Sequence, residues 1–273
     1  MLSEESLELI VQDHLAELEW VSGHGPDFAP GSGERDTWND IVLRGRLRNA
    51  VRNLNPGVPE EYLDQAIGEV ITPKSQSAIA ENRRIHQILV EGYRGIEYID
   101  HEGNIQNPTI VFLSSQPHMN DYLSLNQVTV ANLDGERRFD VVCYVNGMPL
   151  AFIELKKTGA NTSIEGAHNQ LQTYVKEFGM AFRFANIVIP SDDLSAKYGT
   201  PFTPWNHFAP WNVNEDGRPV PSDNMVVAGE PVTQLDLLLD GLFNVERFGQ
   251  LYSDFTAFDD TAEGLVMRIA KRS

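Results

Sequence analysis

Three charged residues bracket two short apolar runs in FDVVCYVNGMPLAFIELKK, residues 139–157. Asp140 opens the first run, and Glu154 and Lys156 close the second. Asn146-Gly147 between the runs is a hairpin signal, and pairing across a hairpin depends on loop length. A two-residue loop sets Asp140 opposite Ile153, on the wrong face for Glu154. An odd loop over 146–148 sets Asp140 directly opposite Glu154. Glu154 and Lys156 are two apart and share a strand face, so in the second register two carboxylates and an ammonium converge. Two carboxylates ~4 Å apart repel by ~4 kcal/mol at an effective dielectric of ~20, so one takes up a proton or a cation sits between them. A hard cation with oxygen ligands, Mg²⁺ above all, suits such a place. With an ammonium beside it, a metal-activated water is equipped for in-line attack on a phosphodiester. Taken alone, Glu-x-Lys is also what a strand ending in solvated charge looks like. The next segment, AHNQLQTYVKEF, adds Gln170 and Tyr174, four apart and therefore neighbours on a helical face, although a tyrosine on the rim of an amphipathic helix has the same spacing.

The elements that must position these residues follow from hydrophobic period. Residues 3–20 read as a helix with Leu7, Ile10, Val11, Leu15 and Leu18 on its apolar side and Ser3 as cap. GHGPDFAPGSGERD (23–36) is a Gly/Pro-rich loop. Helices are predicted at 37–53, 59–71 and 74–92. From about residue 95 the period becomes two: GIEYIDHEGNIQ holds a turn between short strands, and PTIVFLS and LNQVTVANL are further strands. A helix at 163–178 and a strand at 185–190 come next, then an irregular stretch at 191–231 whose Trp205, Phe208 and Trp211 either stack bases or, the commoner use, pin the loop to the domain. Residues 234–243 and 260–271 complete the list as helices. The predicted class is mixed α/β: extra N-terminal helices (1–93), a central mixed, largely antiparallel sheet with its covering helix (94–190), and an irregular part (191–260).

Composition narrows the function. The chain has 273 residues, 21 Lys and Arg against 39 Asp and Glu, and a formal charge of −18. Nucleic-acid affinity comes mainly from phosphate neutralisation, so a polyanionic substrate would have to be brought here by something else. The acidic start MLSEESLELI does not resemble a signal peptide. No apolar run approaches the ~18 residues of a membrane span. The single cysteine, Cys143, lies within an apolar run and reads as a packed thiol. Histidine spacing offers no zinc site, and no Gly-x-Ser-x-Gly elbow occurs. A cytoplasmic protein is the expectation.

RFDVVCYVNGMPLAFIELKK, together with the Gln-x-x-x-Tyr helix, resembles the nuclease domain of the restriction (R) subunit of type I restriction–modification enzymes, a PD-(D/E)xK nuclease. GERDTWNDIVL, LNQVTV, IVIPSDDLSAKYGT, the Trp-containing loop and QLDLLLDGLF extend the likeness over most of the chain. The resemblance implies a restriction-endonuclease-like core. It makes Asp140 and Glu154 the metal-binding carboxylates, Lys156 the residue that orients water, and Gln170 and Tyr174 the supporting Gln-x-x-x-Tyr pair. A further metal-binding acid on the first helix is Glu8, with Glu5 the close second choice. The family's usual proline before the catalytic Asp is here Phe139. The implied cofactor is Mg²⁺, and the implied partners are double-stranded DNA, the modification and specificity subunits, and an ATP-driven motor. No Gly-x-x-x-x-Gly-Lys-Ser/Thr loop is present, and KKTGANTS lacks the lysine, so ATP would act only through motor domains outside this chain. Residues 261–273 are expected to begin the connection to them. Arg137, Arg138, Lys156 and Lys157 can lend local positive charge. The competing expectation is a non-catalytic DNA-binding or assembly module that keeps the nuclease fold.

Overall fold

Ser3 accepts a hydrogen bond from the Ser6 amide and starts helix α1, Glu4–Glu17. Leu7, Val11 and Leu15 of this helix are buried, whereas Ile10, expected on the same side, faces out. The computed structural model describes residues 3–270 apart from 134, 158–162, 193, 215–216, 221–224 and 228. Most of KKTGANTS and the last residues of the expected connector therefore lie outside the described residues.

The centre is a five-stranded mixed sheet in the order β1-β4-β5-β6-β7. Its strands are β1 (Val21–His24), β4 (Tyr122–Asn132), β5 (Gly135–Val145), β6 (Met148–Leu155) and β7 (Ile187–Ser191). β1 pairs with β4 and β6 with β7 in parallel, and the pairs between are antiparallel. One face carries Val141, Cys143, Ile153, Ile187 and Ile189 against Leu7, Val11 and Leu15 of α1. The same core takes in α2 (Arg44–Leu54), α3 (Glu60–Ile71) and α4 (Ala78–Glu91). The other face carries Leu125, Val128, Phe139, Val142 and Phe152 against Leu171 and Tyr174 of α5 (Ile164–Glu177). Burial on both faces explains why β6 is apolar from Met148 to Ile153 rather than alternating.

Several expectations need correction. Residues 37–43 are not helical. Arg35 holds them instead, donating to the carbonyls of Asp40, Trp38 and Thr129. β1 lies where a loop was expected, paired along an edge too short to show a period. PTIVFLS forms no strand and is held by the bridge Tyr93–Ile110 and by Asn55 on Val111, while the short pair β2 (Tyr98–Ile99) and β3 (Ile105–Gln106) is as expected. After a minimal pair β8/β9 (Val226–Val227, Glu230–Pro231) and helix α6 (Gln234–Phe243), a further helix, α7 (Val245–Asp254), was not foreseen. The predicted helix at 260–271 is a β-hairpin, β10 (Thr256–Thr261) with β11 (Gly264–Ile269). Met267 and Ile269 are buried and Arg268 between them is exposed, which is a strand's period of two. Among the described residues no helix is long and apolar enough to cross a membrane.

A charged clasp ties α1 to α6. His14 Nε2 lies 2.6 Å from Asp240, and its Nδ1 lies 3.6 Å from Asp236. Hydrogen bonds to Asp236 and then Asp240 raise the imidazole to about 9. The folded value lies above the unfolded one. The clasp's stabilisation is therefore complete below pH ~6.5 and is lost as pH rises through the folded value. Because Asp240 is 41% exposed, we expect a loss of only ~1–2 kcal/mol. Urea denaturation should show this loss between neutral pH and mildly alkaline pH in the native chain and a flat profile in His14→Gln. Parallel profiles would remove the clasp from the account.

Candidate active site

The hairpin that carries the charged residues combines a short turn with a bulge. Asn146 (φ 52°) and Gly147 (φ 77°) form a two-residue turn closed by Val145 opposite Met148, the geometry expected of a primed turn. That turn alone would misplace Asp140. The register then shifts between Tyr144 and Cys143, so that Cys143 faces Ala151 and Val141 faces Ile153. The extra residue on β6 restores the register that brings Asp140 alongside Glu154. The expected alignment is thus present, while the expected odd loop is replaced by an even loop and a bulge.

A second irregularity lies at the same level. Leu125 and Val128, three apart on β4, belong to the α5-side core, as do Phe139 and Val142, three apart on β5. Asn126 pairs with Val141 and Val128 with Phe139, so register is kept while both strands change sides between these pairs. Gln127, at φ 53°, makes the step in β4, and Asp140 makes it in β5. The backbone of Gly25 packs against this step, where a Cβ would stand 2.6 Å from the carbonyl oxygens of both Asn126 and Gln127.

Released from the alternation, Asp140 accepts the Leu155 N–H through Oδ2 at 2.7 Å. Glu154 is only 1% exposed. Lys156 Nζ donates to Glu154 Oε1 at 2.8 Å and to the Leu155 carbonyl at 3.1 Å, and the Lys156 amide donates to Ser191 of β7 at 2.9 Å. Burial, then the charge of Asp140, pushes Glu154 up to about 8. Burial also raises Asp140, opposed by the Leu155 N–H and by Lys156. For Lys156 burial works against the charge, but Glu154's charge and hydrogen bond more than offset it and the ammonium is held above its usual value.

Gln170 and Tyr174 lie on the α5 side of the sheet. Tyr174 is buried on α5, its hydroxyl accepts from Gln170 Nε2, and burial followed by Glu154's charge raises its pKa. Of the two first-helix acids, Glu8 is 3% exposed and Glu5 is exposed. Asn126 Nδ2 donates to Glu8 Oε2 at 3.2 Å, and burial followed by Asp140's charge raises Glu8. The structure therefore brings together Glu8, Asp140, Glu154, Lys156, Gln170 and Tyr174 and leaves Glu5 out. Glu4, one turn before Glu8, was missed, although its charge acts on Asp140, Glu154 and Lys156. Asn126 and Gln127 were missed too. Their signal was a polar pair interrupting the apolar strand LSLNQVTV. Arg137 pairs with Glu177 at 2.7 Å, while Arg138 is exposed and its charge reaches Asp140 and Glu8. Phe208 and Trp211 are buried and pin the loop, and Lys197 Nζ lies 4.4 Å over the half-buried Trp205.

Among the described residues no three His, Cys, Asp or Glu already stand in one ligand sphere. The donor chemistry nevertheless fits a hard divalent ion. Two neighbouring carboxylates, Asp140 half-buried and Glu154 buried and pushed to about 8, form a pair that a cation relieves. Asp140 and Glu154 are the residues that would hold it, with Glu8 as an outlying third.

Residues 1–207 match the family described as the N terminus of the type I restriction enzyme R protein. A type I restriction enzyme endonuclease subunit of Methanocaldococcus jannaschii is 27% identical over 257 residues, 90% of this chain and 24% of that protein. The HindI endonuclease subunit of Haemophilus influenzae is 27% identical over 278 residues, 98% of this chain and 25% of that protein. The EcoprrI endonuclease subunit of Escherichia coli is 28% identical over 170 residues, 59% of this chain and 50% of that protein. The chain thus spans about a quarter of the length of the first two relatives. A family match over more than half of its residues, laid on a mixed sheet that converges acids and a lysine, places the chain in the family of type I restriction enzyme R proteins, as their N-terminal region.

Proposed function

We propose that this chain is the nuclease module of a type I restriction enzyme R subunit, hydrolysing phosphodiesters of double-stranded DNA without reading sequence at the cut. The observation that carries the reading is the convergence of Asp140, Glu154 and Lys156 at one level of the sheet. Asp140 and Glu154 hold Mg²⁺, with Glu8 assisting. When bound, the ion supplies charge neutralisation for the phosphate and acidity for a water. Lys156 orients that water and keeps Glu154 ionisable. Tyr174, steadied by Gln170, closes the α5 side and supports the DNA backbone. Modification and specificity subunits, with ATP-driven motor domains joined through residues 261–273, hold the DNA and deliver it to this acidic module in the cytoplasm.

Cleavage of supercoiled plasmid by the reconstituted complex with Mg²⁺ and ATP tests this reading. Asp140→Ala should leave assembly intact and abolish cutting, and equal cutting would discard the site. The charge of −18 favours a second reading, an assembly module that keeps the fold without catalysis. That version requires Mn²⁺ to bind no more tightly to the native chain than to Asp140→Ala.

A further inference from the structure

His24 ends the edge strand β1 and stands beside Asn126 of β4. Asn126 uses its Nδ2 on Glu8 at 3.2 Å, which turns its Oδ1 to His24 Nδ1, 2.9 Å away. An amide oxygen only accepts, so Nδ1 carries the proton and Nε2 is the outward nitrogen. Asn126 is 4% exposed, while His24 is exposed. The series Glu8–Asn126–His24 therefore leads from the acid cluster to the protein surface, on the side away from α5. His24 rides on a fixed element, because Gly25 holds the backbone of this segment against the Asn126–Gln127 step.

The geometry points to His24 as a second contact to the DNA backbone, made to a phosphate neighbouring the one that is cut. This rests on the nuclease reading above. Two strand spacings separate β1 from β5, or ~10 Å. A DNA strand carries a phosphate every ~3.4 Å of axis, so a strand with its scissile group at Asp140 and Glu154 presents another phosphate to His24 about two or three nucleotides away. With Nδ1–H held by Asn126, the protonated ring offers its Nε2–H as a donor to a phosphate oxygen. Among the rim's cations Lys156 is committed to Glu154 and Arg137 to Glu177, while exposed Arg138 adds its charge near Asp140 and Glu8. In a chain of charge −18, a donor placed at this edge adds grip on DNA.

The experiment is histidine-ring ¹H–¹⁵N NMR of the 273-residue chain titrated with a short DNA duplex in Ca²⁺ at low salt. The His24 ring signals should shift saturably with added duplex. His24→Ala should weaken duplex binding and make the slope of log affinity against log salt shallower by about 0.9, and His24→Lys should restore both. A silent His24 ring while resonances around Lys156 move overturns this inference alone. Silence at both, at low salt where phosphate contacts are strongest, also overturns the phosphate contact, and the nuclease reading then stands or falls on the plasmid cleavage test. An unchanged salt slope in His24→Ala also overturns the phosphate contact.

Discussion

Lys156→Ala in the assembled complex will lower DNA cleavage by about 10²–10⁴-fold, the range for losing one positioned proton-handling group. Two consequences of the geometry combine. The ammonium donates to the Glu154 carboxylate at 2.8 Å, so its removal leaves a buried acid next to Asp140 without that counter-charge. Lys156 lowers Glu154's pKa while burial and Asp140 raise it, so the variant's Glu154 will hold its proton to higher pH and a divalent ion will compete less well. The cleavage profile should therefore shift to higher pH and higher Mg²⁺ as well as fall in amplitude. Folding should change little, because Lys156 leaves β6 at the sheet's end and is partly exposed. Native-level cleavage by Lys156→Ala at neutral pH would show that the ammonium does no chemistry and would reduce the triad to a strand end.

Gly147→Ala will cost the fold about 2–5 kcal/mol. Gly147 sits at φ 77°, where an L residue costs ~1–2 kcal/mol. A Cβ there would lie 2.4 Å from the Leu43 carbonyl oxygen and 2.7 Å from the Leu47 nitrogen, and overpacking of this kind adds ~1–3 kcal/mol. Neither atom can yield easily. Leu43 N–H is bonded to the Gly147 carbonyl at 2.9 Å, and Leu47 N–H to Leu43 O at 2.9 Å. Gly57→Ala is the control, since φ is 89° there and nothing lies within 4 Å. It should lose only the backbone part. Urea midpoints for the two variants separate conformation from crowding, and a Gly147→Ala loss no larger than the control's would mean that α2 does not press on the turn. The effect reaches the site because the same turn begins the register that ends at Asp140 and Glu154.

Much of the chain could be read from period and punctuation. α1, α3, α5 and α6 lie close to the ranges read from the sequence, and Ser3 caps α1 as expected. β1 escaped because four residues that gain their stability from pairing with β4 carry no period of their own. The terminal hairpin escaped because LVMRIA satisfies both helical and strand spacing over so short a run, and only packing chose between them.

The catalytic candidates are local facts of the chain: residue types, the two-residue spacing from Glu154 to Lys156 and the four-residue spacing from Gln170 to Tyr174 survive in any fold that keeps strand and helix. Their convergence is not local. It needed a bulge in β6, a left-handed Gln127 opposite Asp140, and a glycine backbone from a distant segment pressed against that step. Strand alternation sets which side a residue takes only while the ladder is regular. Where two neighbouring strands step together, long-range packing on both faces decides the side, and no window of sequence contains that information.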